Sequence, residues 1–134
     1  MIETPLEFQS DGTTCRGILY TPDADSKGLP CVVMAHGFGL THASGLAPFK
    51  EAFCNAGYAV FAFDYRHFGD SDGEPRQLFD IEAQLADCQG AIAFARNHLS
   101  DIYLLRSVLD LHRSCILQLQ VPNSETSHKD RLNN

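Results

Sequence analysis

At 134 residues, with 44% hydrophobic and 20% charged residues, the chain has the size and composition of one small globular domain. A formal charge of −7, with no cluster of Lys or Arg, argues against a nucleic-acid partner. No apolar run approaches the ~18 residues that cross a bilayer, and Met1-Ile2-Glu3-Thr4-Pro5 does not read as a signal peptide, so no membrane association is expected.

Residues 6–10 and 13–20 read as two strands around Asp11-Gly12, a dipeptide that favours a tight hairpin turn. Residues 23–30 are polar and end in Pro30, as a surface loop does. Cys31-Val32-Val33-Met34-Ala35 is an uninterrupted apolar run stopped by His36-Gly37, which suits a strand covered on both faces. Leu46, Phe49 and Phe53 recur at helical spacing over residues 46–56, and Gly57 follows as a helix stop. Ala59-Val60-Phe61-Ala62-Phe63 is a second buried strand, ending at Asp64-Tyr65-Arg66, and the Gly- and Asp-rich residues 67–76 form a loop. Ile81, Leu85, Cys88, Ile92, Ala95 and Leu99 draw an apolar stripe on a longer helix, with Asp80 as its N-cap and Glu82 in its first turn.

These elements predict an α/β fold: an N-terminal antiparallel hairpin followed by a parallel βαβα unit. Phe49, Phe53, Phe61 and Phe63 belong to its core in this reading. Residues 1–101 form the domain, and residues 102–134 a divergent, partly disordered tail. Within that tail, residues 103–112 suit a helix and residues 115–121 show a short alternation. Cys15, Cys31, Cys54, Cys88 and Cys115 are widely spaced and form no C-x-x-C pair. They read as buried free thiols of a cytoplasmic protein.

The segment that carries chemistry is His36-Gly37-Phe38-Gly39, directly after a buried strand. Glycines there let the backbone turn sharply and present N–H groups to an oxyanion, although an ordinary βα turn needs the same residues. Two longer stretches decide between those readings: Pro30-Cys31-Val32-Val33-Met34-Ala35-His36-Gly37-Phe38-Gly39 and Phe63-Asp64-Tyr65-Arg66-His67-Phe68-Gly69-Asp70-Ser71-Asp72-Gly73-Glu74-Pro75-Arg76. On them, residues 17–98 resemble the start of α/β-hydrolases, near the dienelactone-hydrolase and X-Pro-peptidase-like groups. They also resemble hydrolase-fold proteins of fungal toxin and polyketide clusters, some of which are polyketide transferases. The resemblance implies a partial α/β-hydrolase fold with its C-terminal half missing. It implies that the Phe38 backbone N–H is the oxyanion donor between Gly37 and Gly39, and that His36 is structural. It also implies that full-length relatives act on small-molecule ester or acyl substrates without a cofactor.

Gly69-Asp70-Ser71-Asp72-Gly73 spells the G-x-S-x-G of a nucleophile elbow, which makes Ser71 a nucleophile candidate. An elbow needs a strand immediately before the serine and a helix immediately after. Here the apolar strand stops near Asp64 and the helical stripe starts only at Ile81. The flanking Asp70 and Asp72 would also repel a developing oxyanion. No glycine follows Gly90, so Ser107 and Ser114 lack the small neighbours of an elbow, and His112 and His128 have no matching context. A Ser-His-acid triad is therefore not expected, and the catalytic assignment is none.

His36, His42, Asp64, His67, Asp70 and Asp72 lie near the strand ends, but their spacings match no metal-ligand pattern. They read as solvated loop residues, with no metal. His42 also stands where a dinucleotide fingerprint needs its third glycine. The resulting expectation is a truncated hydrolase relative, inactive alone. The alternative is a noncatalytic binding or assembly module that self-associates through an open sheet edge beside residues 31–35.

Overall fold

The computed structural model describes residues 1–36, 41–43, 45–98, 102–110 and 116–117. A six-stranded sheet in the order β1-β2-β4-β3-β5-β6 runs through it, with a helix on each face. Strands β1 (Ile2–Ser10) and β2 (Thr13–Thr21) form the antiparallel hairpin. At its tip Asp11 and Gly12 both have positive φ, 47° and 79°, as a two-residue turn matched to strand twist demands. Both strands extend beyond the runs that their apolar residues mark, because ladder hydrogen bonding continues to Ile2 and Thr21.

Strands β3 (Leu29–Ala35) and β4 (Ala59–Phe63) are parallel neighbours joined through helix α1 (Ala47–Asn55). Their unbroken apolar runs follow from burial on both faces. Cys31, Val33, Ala35, Ala59, Phe61 and Phe63 meet helix α2 (Ile81–His98), while Val32, Met34, Val60 and Ala62 meet α1. Phe8 from β1 packs edge-on against Phe61 and Phe63 and stacks on Phe94 of α2, closing one core layer.

The structure departs from the sequence reading at three places. Phe49 is 41% exposed rather than buried, because α1 turns Lys50 and Cys54 inward. The N-terminal half of the α2 stripe is also open, with Ile81 50% and Leu85 40% exposed. The contact face there is Asp87, Cys88, Ala91 and Ala95, small residues that let α2 approach the sheet closely. Finally, the helix expected over residues 103–112 is instead strand β5 (Ile102–Asp110), parallel to β3. The hydrogen-bonding edge of β3 takes up this segment as a parallel strand, with Val108 and Leu109 in ladder register with Val33 and Met34.

The edge expected to be open beside residues 31–35 is thus occupied. The two-residue strand β6 (Ile116–Leu117) pairs antiparallel with β5 and lies outermost. The four described cysteines, Cys15, Cys31, Cys54 and Cys88, are buried free thiols. Burial pushes the Cys15 and Cys31 thiols up to about 12. No helix among the described residues is long and apolar enough to cross a membrane.

Gly17 marks a close crossing of β2 over β4. A Cβ there would stand 2.5 Å from the Ala62 carbonyl oxygen and 2.8 Å from the Phe63 Cα, both backbone atoms. Replacing Gly17 with Ala should therefore cost about 1–3 kcal/mol of stability in denaturant unfolding. A midpoint equal to that of the parent chain would contradict this packing.

Candidate functional site at the strand ends

Strands β3 and β4 end side by side, and their last residues are polar: His36 after β3 and Asp64 after β4. Asp64 is fully buried, and its carboxylate gathers donors from two loops. Oδ1 accepts the His42 backbone N–H at 2.6 Å. Oδ2 lies 2.7 Å from His42 Nδ1 and accepts the Asp70 backbone N–H at 2.9 Å. A Cβ on Gly69, whose φ is +51°, would collide with this carboxylate, so the loop passes it only with glycine there.

Burial alone would raise the Asp64 carboxyl. The His42 ring and the backbone N–H groups of Asp70 and His42 outweigh it and hold the group below its ordinary value. The same contact with Asp64 raises His42. The His36 ring lies with Nε2 3.8 Å from Asp64 Oδ1 and is 2% exposed. Burial pulls its pKa down to about 4 against the attraction of Asp64, so at neutral pH this contact is not an ion pair. Neither ring nitrogen of His36 has a hydrogen-bond partner among the described residues.

Ser71 serves a different purpose from that of a nucleophile in this geometry. Its hydroxyl donates to the Asp64 carbonyl at 2.6 Å and accepts the Arg16 backbone N–H at 2.8 Å. The side chain is 2% exposed and ties the post-β4 loop to β2. Arg16 reinforces the tie through the Asp70 carbonyl and the Asp72 carboxylate, and Arg76 binds the carbonyls of Gly69 and Ser71. At the start of the same loop, Arg66 holds the fully buried Asp87 of α2 and reaches Ser10 and Asp11 of the hairpin.

Of the six polar residues expected to be solvated, only Asp70 and Asp72 are exposed. His36, His42 and Asp64 are buried, and His67 is half-buried. The correction has a topological cause: β3 and β4 are neighbours, which brings residues 22 positions apart onto one carboxylate. Gly37, Phe38 and Gly39 lie outside the described residues, as does Ser114. Ser107 lies within β5, three residues before its end, and not at a strand-to-helix turn. A groove of about 630 Å³ opens beside the cluster, lined in part by Leu6, Glu7, Arg16, Ile18, His42 and Asp70. Sequence reasoning missed Asp64 as the hub. The available signal was a charged residue directly after an apolar strand, two residues before Arg66.

A family model described as serine aminopeptidase, S33, matches residues 27–105, more than half of the chain. The quorum-quenching protein AidA of Acinetobacter baumannii is 48% identical over 92 residues, which are 69% of this chain and 30% of that protein. The polyketide transferase ATR5 of Stachybotrys chlorohalonatus is 37% identical over 101 residues, 75% of this chain and 33% of its own length. Among solved structures, the α/β-hydrolase GrgF from Penicillium sp. sh18 superposes with a TM-score of 0.64 at 29% identity. That match covers 78% of this chain and 37% of the other. The chain thus spans about a third of the length of these relatives, which are bacterial as well as fungal.

The buried histidine gives the cluster a defined pH response. An unfolded His36 takes up a proton near its ordinary value of 6.5, whereas the folded one resists until about 4. Its contribution to stability is therefore present above pH 6.5 and is lost progressively down to pH 4. Asp64 adds a loss only at lower pH, below 3.8. His42 has the opposite sign: its share is present below 6.5 and disappears as pH rises through its raised value. Chemical-denaturation midpoints between pH 7 and 4 should fall for the parent chain and fall less for His36→Gln. Equal slopes would contradict a neutral, buried His36.

Proposed function

The chain belongs to the serine aminopeptidase S33 family of the α/β-hydrolase superfamily, and from that premise we propose that it carries the oxyanion-loop half of an acyl hydrolase or acyltransferase fold. The substrates of this fold half, in that reading, are small-molecule esters or activated acyl chains. Phe38 supplies a backbone N–H to the developing oxyanion, Gly37 and Gly39 let the loop approach it, and His36 is structural. The observation that carries the reading is the anchoring of His42, two residues past the 37–40 segment, on the buried Asp64 carboxylate. His36 closes β3 beside Asp64, and His42 is bound to that carboxylate through both its backbone and its ring. An anchor at that point supports backbone donors held in place before charge develops, which is what oxyanion stabilisation requires.

The same reading makes the chain inert on its own. Ser71 is buried, gives its proton to the Asp64 carbonyl and accepts the Arg16 backbone N–H. It is supported by Ser107 within a strand and by the lack of glycine after Gly90, which leaves no elbow. A polyketide transferase among the relatives favours polyketide-type acyl groups and a place in secondary metabolism or toxin biosynthesis. The buried free cysteines favour a cytoplasmic setting. With p-nitrophenyl esters and a model acyl thioester, the purified chain should give no turnover above buffer, and Ser71→Ala should change nothing. Turnover abolished by Ser71→Ala would overturn the reading.

One observation favours a second reading, a noncatalytic assembly module. Among the described residues, only Val108 and Leu109 of the nine-residue β5 pair with an outer strand. Most of that edge can accept a strand from a second copy. Removing residues 114–134 should expose all of it and lower solubility, with self-association visible in sedimentation velocity. Unchanged monomeric behaviour would count against the module.

A further inference from the structure

We draw no further inference here: the strongest candidate, the exposed apolar patch of Leu78, Phe79, Ile81 and Leu85 at the start of α2, carries nothing, because nothing in the structure shows what covers it.

Discussion

A carboxylate buried at the end of a central strand has to be surrounded by donors, and the organisation of this molecule follows from meeting that need at Asp64. Left alone, the charge would be expelled or protonated. Two backbone N–H groups and one imidazole satisfy it instead, and each comes from a loop that would otherwise be free to choose its path. The group below it, the Asp64 carbonyl, receives Ser71 in the same neighbourhood. One residue thus anchors His42 after β3 through its side chain, and the loop after β4 through side chain and backbone.

The rest of the polar framework extends this arrangement outward. Ser71 passes the constraint to β2 through Arg16, and Asp72 adds a backbone tie to Thr14. Arg66 and the buried Asp87 fasten α2 to the same loop and to the hairpin tip. The serine that would be a nucleophile in a differently placed G-x-S-x-G is here a strut between strands. A buried hydroxyl that gives its proton to one backbone carbonyl and accepts from one backbone N–H is held away from both a base and a substrate. The chemistry suggested by the motif is displaced by its structural use, and the loop becomes support for the strand ends.

How much of this could be read from the sequence depends on the range of the interaction. The buried strands at residues 31–35 and 59–63, the Asp11-Gly12 turn and the existence of both helices were legible, because each rests on local pattern. Residues 102–110 were misread because their fate depends on the free edge of β3, far away in sequence. The inward face of α2 was legible at Cys88, Ile92 and Ala95 but misjudged at its N-terminal end. Close packing on the sheet also takes in Asp87 and Ala91, while the larger Ile81 and Leu85 lie beyond the covered part. The cluster around Asp64 was visible only as a set of polar residues near strand ends. Their convergence needed the strand order, and spacing alone had pointed to solvent.

The central claim, that Asp64 holds the two loops, is tested most directly by amide hydrogen exchange at His42 and Asp70, the two backbone donors to its carboxylate. In the parent chain both amides should exchange slowly despite their position in loops. In Asp64→Ala both should lose protection by orders of magnitude while the amides of β3 and β4 stay protected. Fast exchange at His42 and Asp70 in the parent, or protection unchanged by Asp64→Ala, would contradict the account.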